Sequence, residues 1–401
     1  MKNFIKDIMV SIIIGFITFY LIYVINGSVL YNDLYAQGLP FLEYFKNQFS
    51  ILDGGLGYNW NMGLGDSSYS FIIYYLLSPF NLLLLPFKSV NMVTILPIFM
   101  TIKISFIVYF ASLYFKRVVS HEYRWIGALI YLGSYNILMY GSIHVMWLDT
   151  FAFLPLVLLA IEKVINKEGY TAYVIALFLL IVTNYYLAAL LIIHIAIYGI
   201  TRYVVINGRV GMLRFILKTI GYSVIAGLLA SFVFVPAIGY MLSSSKDISS
   251  INLLTNSLSR LFNVISSNYI GSQYSYSGTY ITLIGLISII PIILFTNVKG
   301  RYLYLVPIVL ILLAVFSDHI NMMFNLGYEA CGGNYRYNIL LNIYVGIIAC
   351  SGLKSISSGN RRVCFTVCLV SILSICIFKN QPSVNTQVLY LNIGFVICYT
   401  V

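Results

Sequence analysis

The sequence predicts an all-α polytopic integral membrane protein of about 12 spans, and three observations predict it. The chain has 401 residues, of which 60% are hydrophobic and only 9% charged, whereas a soluble globular protein carries about 25% charged residues. Apolar stretches of roughly 20 residues, each enough to cross a bilayer, recur along the whole length. The charges that remain are sorted to one side. Segments this long and this evenly apolar read as helices; barrel strands are shorter and alternate in polarity.

In chain order the spans are 8–26, 92–115, 125–141, 151–163, 171–183, 187–204, 215–242, 281–297, 302–316, 339–353, 363–378 and 388–401. Lys2 and Lys6 precede the first, as in a signal peptide, but the apolar run exceeds an h-region and no small-x-small cleavage site follows, so it reads as a retained helix. With a cytoplasmic N-terminus and alternating sides, 16 Lys and Arg fall inside and 6 outside (Lys46, Lys88, Lys246, Arg260, Arg336 and Lys379). That is the bias expected of cytoplasmic loops. The count depends on residues 70–87, "SFIIYYLLSPFNLLLLPF". If they spanned, every later loop would change sides. Pro79 and Pro86 interrupt a helix there, so the segment is placed outside, as a re-entrant or surface-lying helical pair. The first outer loop then covers 27–91, with further outer loops at 243–280 and 317–338, all in one transmembrane domain, 1–401.

The net charge of +11 sits in short interhelical loops, without a basic cluster or nucleic-acid motif, so no nucleic-acid partner is expected. The six cysteines lie mostly inside apolar runs without metal-ligand spacing, as core thiols do. Eight of the 12 acids fall outside: Asp33, Glu43, Asp53, Asp66, Asp149, Asp247, Asp318 and Glu329. The larger outer loops mix Tyr, Ser, Asn and Gly, which suits sugars and equally any wet loop.

Asp33, in "YNDLYAQGLPF", follows the first span by a few residues. A carboxylate at that height can take a proton from an acceptor hydroxyl or help hold a divalent cation against a phosphate; it can also be a solvated acid or a helix N-cap. Lys103 falls near the middle of the span 92–115, where a charge costs about 2.5 kcal/mol or more. It either faces the bundle interior to meet a lipid-linked phosphate, or is held in an internal salt bridge, or snorkels. His144 precedes Trp147 and Asp149 at the outer surface and can assist them. His194 lies on an apolar span as a core group. His319 neighbours Asp318 with no third ligand, and no zinc spacing exists, so metal ligands stay unassigned.

Five stretches, in order, carry a resemblance: the Asp–x–x–x–Gln–x–x–Pro start, the Gly-Leu-Gly turn at 63–65, Tyr-Tyr–x–x–Ser-Pro-Phe at 74–80, "SIHVMWLDTFAFLPL" at 142–156, and the Asn-Tyr-Tyr turn at 184–186. Together they resemble the YfhO family of bacterial membrane proteins, well over about residues 1–200 and loosely beyond. The resemblance implies a fold like the GT-C glycosyltransferases, a catalytic acid in the first outer loop, and a polyprenyl-phosphate sugar donor such as an undecaprenyl-phosphate-linked sugar. It implies a cell-envelope polymer acceptor such as teichoic acid, in the bacterial cell membrane with an extracytoplasmic site. By position Asp33 matches the acid and Gln37 and Pro40 its neighbours, while Asp149 lies in the Trp-Leu-Asp segment. Arg336, in "GYEACGGNYRYNILL", stands where family chains carry a Pro–x–Arg-like element. Family chains are longer, and this one reads as a truncated or degenerate copy.

On this reading Asp33 is the base, and Lys103 and Arg336 neutralise the leaving phosphate, with Gln37, His144 and Asp149 as further substrate contacts. No cofactor is implied beyond a divalent cation that could share the phosphate. The glycines of 54–65 lack a phosphate-loop pattern and no nucleotide-binding domain can be placed, which favours a lipid-linked donor. The alternatives are a transporter or flippase, or a polymerase, of lipid-linked saccharides. A transporter should show matched broken helices in two halves, and no such internal symmetry is visible. Tags at residues 120, 208 and 358 should report cytoplasm, and tags at 50, 260 and 330 the outside; an extracellular tag at 120 would mean that 70–87 spans.

Overall fold

The computed structural model describes residues 2–20, 30, 33–47, 57–60, 65–134, 136–243, 305, 308–310, 313–314, 317–325 and 336–357. The expected spans 281–297, 363–378 and 388–401 lie outside them, as does most of 302–316. Nearly every described segment is helical; the exception is a two-residue hairpin, β1 (Tyr58–Asn59) antiparallel to β2 (Asp66–Ser67). Contacts divide the chain into two compact units. The first comprises Met1–Ala111, Ile137–Ile192 and Arg209–Asp247; the second comprises Ser112–Asn136, Ile193–Gly208 and Ile248–Val401.

The first unit begins with α1 (Lys2–Phe19). A π-helical turn at Leu34–Gly38 then leads into α2 (Leu39–Asn47). After the hairpin, α3 (Ser68–Phe71) runs into a π turn, Ile72–Leu76, and a 3-10 helix, Pro79–Phe87. These two limbs are bent by 102°, so residues 68–87 form the helical pair expected of their prolines. The break is chemically closed. Ser78 caps the second limb by accepting from the Phe80 amide at 3.1 Å, with Pro79 in the first helical position, where a missing N–H costs nothing. The Asn81 side-chain amide donates to the Leu76 carbonyl at 2.9 Å. Freed backbone groups at membrane depth need such partners.

Next comes α4 (Met92–Val118), 27 residues ending on Lys116 and Arg117. It crosses α1 where Gly15 meets Ser105: a Cβ on Gly15 would lie 3.0 Å from the Ser105 backbone nitrogen, a small-residue contact that lets two helix backbones touch. Past α5 (Arg124–Leu132), a π turn (Asn136–Tyr140) and α6 (Gly141–Ile143), the chain enters α7 (Trp147–Ile165), which packs along α8 (Thr171–Thr183). α9 is Tyr185–Asn207. α10 (Met212–Leu229) lies against α8, tied by the Tyr173 and Ser223 hydroxyls at 2.8 Å. α11 (Ser231–Ser243) meets the bent pair through Ile73, Val233 and Ala237.

Two expected spans are interrupted. Residues 215–242 are two helices separated at Ala230, and 125–141 breaks after Leu132. Hydropathy continues across Ala230 and could not locate that break, whereas the break after Leu132 falls on Gly133 and Ser134, a turn signal. Among the described residues, α4, α9 and α10 are long and apolar enough to cross a membrane, and the bent pair makes a fourth if it counts as one span. The protein is thus a helical membrane protein.

In the second unit, α12 (Asp318–Phe324) and α13 (Ile339–Ser357) join α5. The ring of Phe115, at the end of α4, fills the space over two glycines. A Cβ on Gly127 of α5 would come within 2.5 Å of ring Cδ1, and one on Gly346 of α13 within 2.6 Å of Cζ. Both glycines are there because the ring occupies the volume of their missing side chains. Gly127→Val and Gly346→Val should each overpack this contact and cost about 1–3 kcal/mol. The check is thermal unfolding in detergent: a lowered midpoint, partly restored by adding Phe115→Ala, is expected, and an unchanged midpoint would show that the ring moves aside freely.

Candidate active site

The site is assembled in the first unit around Asp33. Asp33 precedes the π turn Leu34–Gly38 with helical dihedrals (φ −64°, ψ −23°), and its side chain makes no capping bond. The carboxylate therefore does not spend its oxygens on the helix end, as an N-cap would. Gln37, one turn on, donates its amide to Asp33 Oδ1 at 3.5 Å. The same amide accepts at its oxygen from the Tyr75 hydroxyl at 2.6 Å. On the other side His144 Nε2 lies 3.8 Å from Asp33 Oδ2, the two side chains being 19% and 37% exposed. A carboxylate that is half open to solvent and flanked by an amide, a phenol and an imidazole can accept a proton from a hydroxyl brought to it.

His144 is held from below. Its ring stacks on Trp147 with centroids 4.3 Å apart, and Trp147 is only 1% exposed. The Trp147 amide donates to the His144 carbonyl at 2.9 Å, closing a turn just before α7.

Lys103 and Asp149 meet each other. Nζ lies 2.8 Å from Oδ1 and 3.0 Å from Oδ2, with side chains 1% and 0% exposed. Nζ also donates to the Val145 carbonyl at 3.3 Å and sits 4.6 Å from the Phe99 ring centroid. The ammonium is thus surrounded by protein partners, the internal salt bridge among the alternatives the sequence left open. That leaves it no open direction for a lipid phosphate. Asp149 is in the first turn of α7, and its carboxylate is turned into the core.

Glu43 and Lys46, in the same opening stretch as Asp33, serve the fold. They pair at 3.0 Å, Glu43 Oε2 accepts from the Met92 amide at 3.1 Å, and Lys46 donates to the Val90 carbonyl. A carboxylate at the N-terminus of α4 satisfies an orphan donor and suits the helix dipole. Arg336 belongs to the second unit, where its carbonyl accepts from the Asn136 side chain at 3.0 Å. His194 is a core group, stacked on Tyr337 and edge-on to Phe324. His319 is exposed, and the side chain of Asp318 is not described. Asp53, Asp247 and Glu329 lie outside the described residues, as do the cysteines other than Cys350, which is buried.

Among the described residues no three His, Cys, Asp or Glu side chains converge. Asp33 and His144 alone do not fit a divalent cation that relies on a cage of protein oxygens. Sequence reasoning missed Tyr75, Ser78 and Trp147 as contributors. The signal was present in the Tyr-Tyr–x–x–Ser-Pro-Phe and Met-Trp-Leu-Asp motifs, but periodicity does not say which partner a side chain finds.

The family described as "Bacterial membrane protein YfhO" matches residues 7–401. A relative from Bacillus subtilis (strain 168), named "Uncharacterized protein YfhO", is 25% identical over 189 residues, which is 43% of this chain. The chain covers 22% of that relative's length. No solved structure matches the chain.

Proposed function

The chain belongs to the YfhO family of bacterial membrane proteins, and from that premise we propose that it is a glycosyltransferase of the GT-C type. In this reading about 12 spans form the bundle, the N-terminus is cytoplasmic, and the site opens on the outer face of the bacterial cell membrane. The donor is a polyprenyl-phosphate sugar, such as an undecaprenyl-phosphate-linked one, and the acceptor a hydroxyl of a cell-envelope polymer such as teichoic acid.

The observation that carries the reading is the Asp33 carboxylate, uncapped, half exposed and flanked by His144 and Gln37. Asp33 takes the proton of the acceptor hydroxyl as its oxygen attacks the anomeric carbon. The bond from that carbon to the phosphate oxygen breaks, and the polyprenyl phosphate leaves with the electron pair, inverting the centre. His144 lies beside Asp33, with Nε2 at 3.8 Å from Oδ2. Gln37, fixed by Tyr75, keeps one carboxylate oxygen aimed. The bent apolar pair walls the site toward the lipid that delivers the donor. Lys103 is left out of phosphate binding.

A flippase of lipid-linked saccharides draws on a different observation: the bent pair packs against α11, which follows the interruption at Ala230, and broken helices beside each other are a transporter device.

One assay separates the two. Sugar transfer from a synthetic polyprenyl-phosphate donor is compared for wild type and Asp33→Asn at matched, monodisperse expression. Removing a general base should lower the rate about 10²–10⁴-fold without affecting insertion. Near-normal turnover in the variant would remove Asp33 from the mechanism. Donor crossing in vesicles without any product would favour the flippase.

A further inference from the structure

We infer that Lys103 and Asp149 are positioning residues that hold His144 against Asp33. The role rests on the site proposed above, but the geometry does not depend on what that site transfers. His144 lies in the short connection between α6 and α7, a stretch with backbone freedom of its own. The Lys103 ammonium grips this stretch twice, at the Val145 carbonyl next to His144 and at the Asp149 carboxylate in the first turn of α7. Between those two points lies Trp147, the floor on which the imidazole rests. His144 is therefore clamped along the chain and from beneath.

The second arm of the site comes from the bent pair, whose break Ser78 closes by accepting from the Phe80 amide. Three residues before Ser78, Tyr75 reaches Gln37, and Gln37 reaches Asp33. Asp33 and His144 come from segments more than a hundred residues apart. The Lys103–Asp149 pair supports the His144 side of that meeting. A pair that merely stabilised the bundle could be exchanged for apolar side chains of similar volume with no effect on how His144 senses Asp33. A positioning pair could not.

The test uses the full chain in nanodiscs. The sequence holds three tryptophans; Trp60→Phe and Trp125→Phe leave Trp147 as the emitter. An imidazolium stacked on an indole quenches its emission, so a pH titration reads the protonation of His144. Asp33→Asn should move the midpoint to lower pH by about one unit, because an opposite charge at this distance favours the imidazolium. In Lys103→Met/Asp149→Leu that shift should fall to less than half. Lys103→Gln, which loses the ammonium but keeps a hydrogen-bonding side chain at that depth, should also reduce it. A full shift in either variant overturns the inference, and so does a Trp147 emission that ignores pH. The titration needs no donor: if it behaves as stated while Asp33→Asn transfers sugar normally, the clamp stands and the transferase reading falls.

Discussion

An ammonium group deep in a membrane helix must bring its own solvent, and much of the first unit is arranged around that demand. Lys103 is 1% exposed and Asp149 0%. Neither could stay charged alone at that depth, since removing one partner of a buried pair typically costs about 3–5 kcal/mol. The pair fixes the register of α4 against the start of α7. Once these elements are set, the positions of Trp147 and His144 follow from chain connectivity, and with them one side of the surroundings of Asp33.

The acids after the first helix divide their labour by what lies beside them. Glu43 faces the amino end of α4 and a lysine, so its charge is consumed by the fold. Asp33 faces an imidazole and an amide and leaves an open side toward solvent. Two carboxylates ten residues apart thus do opposite work: one docks the loop to the bundle, and the other is kept available.

Much of this was legible in the sequence. The span at 92–115 could be read because a long apolar run ends on Lys116 and Arg117, and α4 ends there too. Pro79 and Pro86 announced the bend at 68–87. Asp33 stood out by its distance from the first span. Lys103 stood out because a charge in an apolar run is costly, but its partner lies 46 residues away. Such pairing is decided by packing, which no local pattern records. The interruption at Ala230 was invisible for a related reason: the residues on both sides are equally apolar and the break itself holds no proline. The π turns at Leu34–Gly38 and Ile72–Leu76 likewise have no residue signature, although both shape the site.

The ion pair itself is tested most directly by a double-mutant cycle on stability. Lys103→Met, Asp149→Leu and the double variant would be compared with wild type by thermal unfolding in the same detergent. Each single change strands a buried charge and should destabilise by about 3–5 kcal/mol, while the double change removes both charges and should lie near wild type. A double variant that loses the sum of the two single losses would contradict the account, because two residues that do not meet add independently.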